Sequence, residues 1–337
     1  MIRIRIEDVE IDSLDLTLRS TFRTNTKTIR EHRTLLYRIR AGGVWGEGEA
    51  YTMRFDEDRD LLQQLPLRGR TPWLMDDILG DIPSAPARSA VDIALHDLLG
   101  KLTGLPVCHL LGLALENRST CVSIGVDEPS AMLDAARRWL AAGFHILKIK
   151  VASDTDPDII HEIRMAGGEE VRIWVDANQG LDPESLVRLA PILQRDSVEL
   201  IEQPFPIGRY EEYARVRPLL GIPIFLDEEV RSSEDVALAA CAGGIDGVNV
   251  KMAKMGGIRE ALRAIHVARA HGLQVLLGCF FESSLGISAS AHLQALADRI
   301  DLDSPLHLEA DPYTGLVLAG ATVAPTQTPG LGVMRAG

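Results

Sequence analysis

The sequence predicts a parallel α/β barrel that follows a smaller α+β domain. From about residue 119 onward, short apolar runs alternate with helix-length amphipathic segments, which favours a parallel sheet. Five consecutive runs end in a charged residue at nearly constant spacing, whereas the first 115 residues follow another pattern. The length of 337 residues also exceeds one average domain.

Residues 1–50 predict three antiparallel strands. The start MIRIRIEDVEI alternates apolar and charged residues, and TLLYRIRAGG followed by VWGEGEA predicts a second strand, a turn and a third strand. From about 56 to 112 the pattern becomes helical, most clearly in ARSAVDIALHDLLGKLTG, which ends at Gly104. We therefore expect an α+β domain over residues 1–115.

The second region predicts a barrel over residues 116–306. Seven runs have the length and composition of buried strands, namely TCVSIGV, HILKIKV, VRIWVDA, VELIEQP, IPIFLDE, DGVNVKM and LQVLLGC. An eighth strand is expected around DLDSPL, which gives the strand number of a closed (β/α)8 barrel. The segment 307–337 returns to loops and short strands, and we expect it to pack on the N-terminal domain.

Composition narrows the partners. Hydrophobic residues make up 46% and charged residues 25% of the chain, as in ordinary soluble proteins. The net charge of −13 and the lack of a long basic run argue against nucleic acid and favour a small molecule. No segment resembles a signal peptide or a membrane span, and the four cysteines suggest buried thiols, so we expect a cytoplasmic protein without a membrane partner.

Five charged residues end the second to sixth predicted strands. They are Lys150, Asp176, Glu202, Asp227 and Lys251, separated by 26, 26, 25 and 24 residues. Taken alone, any one of these residues could equally be an ordinary surface residue. Each follows an apolar run, however, and a buried charge is costly unless it is paired or bound to metal. Because the C-terminal ends of barrel strands form one mouth, we expect all five in one pocket.

Three of these residues are carboxylates that would lie close together and so require a cation. Carboxylate oxygens are hard ligands, which favours Mg²⁺. Zinc is disfavoured because no histidine or cysteine recurs nearby at ligand spacing.

The lysines predict proton transfer. In HILKIKV, Lys148 and Lys150 share one strand face, so both should point into the barrel mouth. Ammonium groups crowded near each other and near a divalent ion should have lowered pKa values, which suits a lysine to act as a base. Lys251 lies four strands beyond Lys150, on the opposite side of an eight-stranded barrel. A substrate carbon between them could lose a proton to one and regain it from the other, while the metal stabilises the enolate.

These motifs resemble the enolase superfamily, and within it the muconate-lactonising-enzyme-like subgroup, over nearly the full length. The matching motifs are GEGEA at 46–50, ALHDLLGKLTGLPV at 94–107, KIK at 148–150, VDANQG at 175–180, EQP at 202–204, DE at 227–228 and KMAKMGG at 251–257. The resemblance implies a modified TIM barrel, (β/α)7β, under a capping domain built from the N- and C-terminal segments. A homo-oligomer is also open, because members commonly form dimers or octamers.

The resemblance further implies a role for each motif residue. Asp176, Glu202 and Asp227 look like Mg²⁺ ligands, Lys150 and Lys251 like the acid/base pair, Lys148 like a contact to the substrate carboxylate, and Asn178 and Glu228 like supporting residues.

Within the subgroup, Asp301-Leu302-Asp303 resembles the Asp-x-Asp motif with which dipeptide epimerases hold the substrate's α-ammonium group. Both acids would share a face by strand period, which agrees with that role. The alternative is an Asp-capped turn before Pro305. We therefore expect a dipeptide epimerase that acts at the α-carbon of the C-terminal residue.

Other substrate contacts implied by the resemblance are Ser123, Cys279 and Phe281. Lys27 falls in a capping-domain loop where Ala-Glu epimerases have an arginine, and lysine keeps the charge but loses the fork. Phe280 and Phe281 equally favour an apolar substrate side chain, so that side chain stays open.

Several alternatives share part of this pattern. N-acylamino-acid racemases and o-succinylbenzoate synthases would use the same lysines and carboxylates, and muconate-type cycloisomerases have no ammonium group to hold. Acid-sugar dehydratases have a catalytic histidine near the end of the seventh strand, whereas this chain has Gly278 and Cys279 there. A binding module without activity would lack one of the five charges, and a metal-dependent hydrolase has no need of opposed lysines.

Overall fold

The computed structural model describes residues 4–337, and its first unit is a capping domain. Three antiparallel strands form its sheet in the order β1-β2-β3, which confirms the expected strands. Ile2 of the opening pattern lies outside the described residues. The strands are β1 (Ile6–Arg23), β2 (Thr28–Ala41) and β3 (Val44–Tyr51), and the helices are α1 (Phe55–Gln63), α2 (Met75–Leu79), α3 (Ala85–Thr103) and α4 (Val107–Leu110).

The glycines of GEGEA let β3 pack directly on α3. A Cβ atom on Gly46 would lie 2.3 Å from the carbonyl oxygen of Ala94, and one on Gly48 would lie 2.1 Å from that of Ala90. No side chain fits at such distances. The helix then ends at Gly104, whose φ of 72° is the left-handed conformation expected after a helix. This motif therefore serves packing in the cap.

Eight parallel strands form the barrel, as predicted. After the short strand β4 (Arg118–Ser119), they run in unbroken order from β5 to β12. They are β5 (Val122–Ile124), β6 (Ile146–Lys150), β7 (Arg172–Asp176), β8 (Val198–Glu202), β9 (Ile224–Leu226), β10 (Gly247–Val250), β11 (Gln274–Gly278) and β12 (Arg299–Asp301). The N–H of Cys121 donates to the Ile300 carbonyl at 3.2 Å, which brings the first and last strands together in a nearly closed barrel.

Helices alternate with these strands; most cover the outside of the sheet, and those directly after β10, β11 and β12 pack on the cap. They are α5 (Pro129–Ala141), α6 (Asp158–Gly167), α7 (Pro183–Arg195), α8 (Tyr210–Leu220), α9 (Ser233–Ala242), α10 (Met252–Met255), α11 (Ile258–Ala270), α12 (Ser284–Ala291) and α13 (Ser304–His307). Leu147 and Ile149 of β6 join the buried layer between strands and helices. Ile146 belongs instead to the layer inside the barrel, with Trp174 and Phe225. The alternation predicted for HILKIKV is therefore present.

The C-terminal segment packs against the cap and the start of the barrel. Its strands are β13 (Tyr313–Thr314), β14 (Val317–Ala319), β15 (Thr322–Ala324) and β16 (Met334–Arg335). β15 pairs with β4, the N–H of Val107 donates to the Gly330 carbonyl at 3.0 Å, and the N–H of Leu331 donates to Asp97 Oδ1 at 2.8 Å. These contacts support the division at 115 and 306, which we retain as a proposal.

The cysteines and the helices bear on two further expectations. Cys241 is exposed near the end of α9 and Cys279 is partly exposed beside a pocket, so the expectation of four buried thiols is wrong for these two. Within residues 4–337, no helix has the length and hydropathy needed to cross a bilayer.

Candidate active site at the barrel mouth

A pocket of about 640 Å³ lies between the barrel mouth and the cap. Most of the predicted site residues line it, namely Lys27, Ser123, Lys150, Asp227, Lys251, Cys279, Phe281, Asp301 and Asp303. Lys148, Asp176 and Glu202 lie beneath its floor and are fully buried. The structure thus gathers the predicted residues in one region, although Lys148 does not reach the pocket wall where a substrate carboxylate would lie.

Strand register sets the level of the charged residues. Lys150 lies opposite Asp176, and Asp176 lies opposite Glu202, at the C-terminal ends of β6, β7 and β8. Glu202 faces Phe225 of β9, so Asp227 comes two residues later on the next strand. Because parallel neighbours keep a fixed register, three successive strands place their last side chains side by side.

Each carboxylate is paired with a lysine. Lys148 Nζ lies 2.9 Å from Glu202 Oε2 and 3.2 Å from Asp176 Oδ2. Lys150 Nζ is 2.5 Å from Asp176, and Lys251 Nζ is 2.7 Å from Asp227. These ion pairs compensate the burial of the charges.

The pairing reverses one prediction. Burial and the Lys148 ammonium lower the pKa of Lys251, but the carboxylates of Asp227 and Glu202 together raise it above the ordinary lysine value. For Lys148 as well, burial lowers the pKa, while Asp301, Glu202 and Asp176 raise it well above normal. For the protein's own charges, the carboxylate partners thus reverse the lowering of lysine pKa values expected from crowded ammonium groups near a divalent ion.

Asp176, Glu202 and Asp227 have the oxygen ligands that a cation site needs, but they do not lie close enough together to form one as they stand. Residues 4–337 contain no ready cluster of three His, Cys, Asp or Glu side chains that could hold a metal ion. Burial, with Asp176 and Asp227 nearby, raises the pKa of Glu202 to about 7 against the opposing effect of Lys148. Glu202 Oε2 is buried, and its contact with the Lys148 ammonium at 2.9 Å is an ion pair without hydrogen-bond geometry. A buried carboxylate oxygen that lacks a well-aligned hydrogen bond and lies beside two other carboxylates fits a hard divalent cation, which would compete with the lysines.

Asp301 and Asp303 lie at the opposite side of the mouth. Asp301 Oδ2 accepts from Lys148 at 2.7 Å, and Asp303 Oδ2 accepts from the N–H of Ser123 at 2.6 Å. β12 ends at Asp301, and Asp303 adopts the helical angles φ −90° and ψ −3° just before α13. The strand-period argument is therefore wrong for Asp303, although both acids line the same pocket.

The β1–β2 turn covers the pocket from the cap. The N–H of Thr24 donates to the Lys27 carbonyl at 2.8 Å, and the Asn25 amide donates to the Asn178 carbonyl at 3.1 Å. Lys27 Nζ lies 5.3 Å from the centroid of Tyr51, and burial together with Lys251 lowers its pKa. The turn thus brings an ammonium group to the roof of the pocket.

Hydrogen bonds with neighbouring residues hold Asp176 and Asp227 in place. The N–H of Asn178 donates to Asp176 Oδ1 at 2.9 Å, and its amide donates to Glu228 at 3.2 Å. Gln203, which sequence reasoning missed, has a φ of 36° and is fully buried. Its side chain accepts the N–H of Asp227 at 2.9 Å, so it sets one carboxylate relative to the next strand. Its place directly after Glu202 was the available signal.

Two further residues escaped the sequence analysis. Lys254 lies 2.5 Å from Asp227 Oδ1 and donates to the Asn249 carbonyl at 3.0 Å. Its signal was the three-residue spacing from Lys251 on a short helix. His307 lies 3.0 Å from Asp303, four residues after it, which is also helical spacing.

The chain is similar to proteins of known activity. An L-Ala-D/L-Glu epimerase of Bacteroides thetaiotaomicron is 33% identical over 95% of this chain and 86% of its own length. A hydrophobic dipeptide epimerase of Roseobacter litoralis is 38% identical over 73% of this chain and 72% of its own. The structure of a dipeptide epimerase from Enterococcus faecalis, complexed with Mg and L-Leu-L-Tyr, matches with a TM-score of 0.92 at 29% identity, covering 98% of this chain and 100% of that one.

Family comparison covers both units. Residues 7–112 match the family described as mandelate racemase / muconate lactonizing enzyme, N-terminal domain. Residues 131–334 match the enolase C-terminal domain-like family. With its cap, its eight-stranded barrel and its strand-end charges, the chain belongs to the mandelate racemase / muconate lactonizing enzyme family of the enolase superfamily.

Proposed function

We propose that this protein is a Mg²⁺-dependent dipeptide epimerase, an isomerase that inverts the α-carbon of the C-terminal residue. One observation carries the proposal: Lys150 and Lys251, four strands apart, line the same pocket as the Asp301–Asp303 pair. The lysines supply two bases, and the acids supply a place for an ammonium group. The named activities of the similar proteins support the same reaction.

Asp176, Glu202 and Asp227 are the residues that would hold Mg²⁺. A bound divalent cation would supply positive charge for the carboxylate oxygens of the substrate and thereby make its α-proton more acidic. The Oε2 atom of Glu202, which accepts no well-aligned hydrogen bond, supports this assignment. Lys148 would then keep its contact with Asp301, 2.7 Å away, and hold the floor of the site together.

The two lysines would exchange one proton across the substrate. The neutral amine of one lysine takes the α-proton, the C–H electrons enter an enolate, and the ammonium group of the other returns a proton to the opposite face. The neutral form requires that a lysine leave its carboxylate partner, since Asp227 now holds Lys251 as ammonium. Substrate and cation binding would therefore activate the lysine by taking over its carboxylate partners.

Asp301 and Asp303 would orient the dipeptide through its α-ammonium group. A charge-assisted hydrogen bond to a carboxylate is stronger than a neutral one. Asp301 and Asp303 follow β12, which lies four strands from β8 in the barrel. The acidic pair and the proposed cation site would therefore hold the two charged ends of a dipeptide apart. An N-acylated amino acid would leave this pair without a partner.

Isotope exchange tests the reaction. We expect the enzyme to incorporate deuterium from D₂O at the α-carbon of the C-terminal residue of at least one member of a dipeptide library, detected by mass spectrometry. N-acetylating the best substrate should lower kcat/KM by about 10- to 150-fold. Faster turnover of the N-acetylated compound would favour an N-acylamino-acid racemase, and absence of exchange in every substrate would reject both.

Metal removal tests the ligand assignment. Chelation should abolish exchange, and Mg²⁺ added back should restore it, because the converging carboxylates need a cation to hold substrate oxygens. Binding of Mg²⁺ measured by calorimetry should be lost in Glu202→Gln. Full activity of rigorously metal-free protein would contradict the assignment.

The free thiols of this chain also support a reducing compartment, and we propose the cytoplasm.

A further inference from the structure

The imidazole of His307 lies against the acidic pair and has no part in the proton transfer proposed above. It is the last residue of α13, and its Nε2 atom is 3.0 Å from Asp303 Oδ2. The N–H of Ser123 donates to the same oxygen at 2.6 Å. Both hydrogen bonds therefore hold Asp303 through a single oxygen atom.

The two acids differ in how many oxygens the protein occupies. Asp301 accepts from Cys121 Sγ at Oδ1 and from Lys148 at Oδ2. Both hydrogen bonds of ordinary geometry to Asp303 fall on Oδ2, although the Ser123 side chain also lies close enough to lower the pKa of this carboxylate, and Oδ1 is not sealed from solvent. Because Asp303 lines the pocket, Oδ1 is the acceptor left for the N–H of a ligand.

Three aromatic rings hold the imidazole in place. Phe22 of β1, Trp139 of α5 and Phe281 beyond β11 meet it edge to face, at centroid distances of 5.4, 5.7 and 6.1 Å. The His307 side chain is only 11% exposed. A ring packed on several sides keeps one orientation, so its hydrogen bond has a fixed direction. Cap and barrel together thus fix the Asp303 carboxylate.

We propose that His307 is a positioning residue that bonds Asp303 Oδ2, keeps Oδ1 directed at the substrate's α-ammonium group, and so sets the preference for a free over an acylated amino terminus. This inference rests on the proposed function, because it takes a dipeptide's ammonium group as the ligand of Asp303. Without the hydrogen bond the carboxylate can rotate, which weakens its charge-assisted contact. The effect should fall mainly on KM.

Two variants separate positioning from mere support. His307→Leu removes the donor, whereas the terminal amide of His307→Gln can donate from about the place of Nε2. Rates of α-proton exchange are measured with L-Leu-L-Tyr, L-Ala-L-Glu and their N-acetyl forms. On the faster free dipeptide, His307→Leu should lower kcat/KM by about 10- to 100-fold, mostly through KM, and His307→Gln by less than about fivefold. The N-acetyl compound should change by less than about threefold in either variant.

A matched control lies outside the pocket. His161 bonds Asp196 at 2.8 Å on the outer side of the barrel, so His161→Leu also removes an imidazole–carboxylate contact. His161→Leu should leave unchanged the ratio of kcat/KM on the free dipeptide to kcat/KM on its N-acetyl form. Thermal unfolding of every variant checks folding. If His307→Leu does not fold, His307→Asn replaces it, since its shorter amide cannot reach Asp303.

The outcomes distinguish this inference from the function on which it rests. A wild-type enzyme that does not prefer the free dipeptide overturns both. Suppose that the wild type prefers the free dipeptide and that His307→Leu lowers kcat/KM equally for the free and the N-acetylated compound. His307 then only supports the fold, and the positioning role is wrong. An unchanged ratio in a folded His307→Leu protein likewise overturns the positioning role and leaves the proposed function intact.

Discussion

The barrel mouth has two halves that treat carboxylates differently. In the lysine-paired half, formed by Asp176, Glu202 and Asp227 at the ends of three successive strands, ammonium groups compensate the carboxylates. In the acidic-pair half, formed by Asp301 and Asp303, Lys148 also compensates Asp301, but both hydrogen bonds to Asp303 fall on Oδ2, so its Oδ1 is left towards the pocket.

The difference shows what each half can accept. Lysines already provide positive charge in the first half, so a divalent cation there would compete with them for the carboxylates, and a lysine released from its carboxylate could act as a base. The second half needs less rearrangement, because the N–H of Ser123 and the His307 imidazole both bond Asp303 at Oδ2 and leave Oδ1 towards the pocket. Burial raises the pKa of Asp303, but His307 and Ser123 lower it to about 2, so the acid stays ionised and ready for a cation.

The largest effect should come from breaking the lysine-paired half. Lys251→Ala should lower the rate of epimerisation by at least about 10²- to 10⁴-fold, because one of two proton-transfer groups is lost. Lys150 should still exchange the α-proton of one stereoisomer with D₂O, and Lys150→Ala should spare only the other isomer. NMR of each stereoisomer separately measures both. A near-normal rate of interconversion in either variant would refute the opposed-lysine mechanism.

A smaller effect should come from the acidic-pair half, and it sharpens the contrast within it. Asp303→Asn should lower kcat/KM on the free dipeptide by about 10- to 150-fold and narrow its lead over the N-acetyl form. Asp301→Asn should instead lower thermal stability, because Asp301 is the closest of the three carboxylates around the buried Lys148 ammonium. Steady-state kinetics and thermal unfolding of both variants give the comparison. Identical profiles would mean that the two acids share one role.

The smallest effect concerns the frame that both halves share. His292, just after α12, accepts the N–H of Cys108 at 3.2 Å and lies 3.3 Å from the Leu331 carbonyl, and burial lowers its pKa to about 4. The folded protein therefore favours neutral His292, and stability should fall as pH falls from about 6.5 towards 4, by about 1.4 kcal/mol per unit. Urea unfolding at several pH values measures this slope. In His292→Gln the slope should be shallower by that amount, and an equal slope would exclude His292 as its source.

The regular parts of the site could be predicted from sequence. A βα unit has a nearly constant length, so strand-end charges recur at nearly constant spacing and meet at one mouth. The pKa values of Lys148 and Lys251 could not be predicted in the same way, since they depend on which carboxylate lies across a neighbouring strand. Gln203 and His307 were missed for a related reason, because each acts through a hydrogen bond to a residue whose position only the fold fixes.

The contacts of Gly330 and Leu331 with α3 and α4 bear on how the protein is made. A ribosome releases the capping residues first, and domains usually fold in that order. Here Asp97 is buried in the cap and receives its N–H partner from Leu331, more than two hundred residues later. The hydrogen bonds of the cap are therefore complete only after residues 330 and 331 have emerged. Removing those residues should expose the cap to proteases while the barrel strands stay paired.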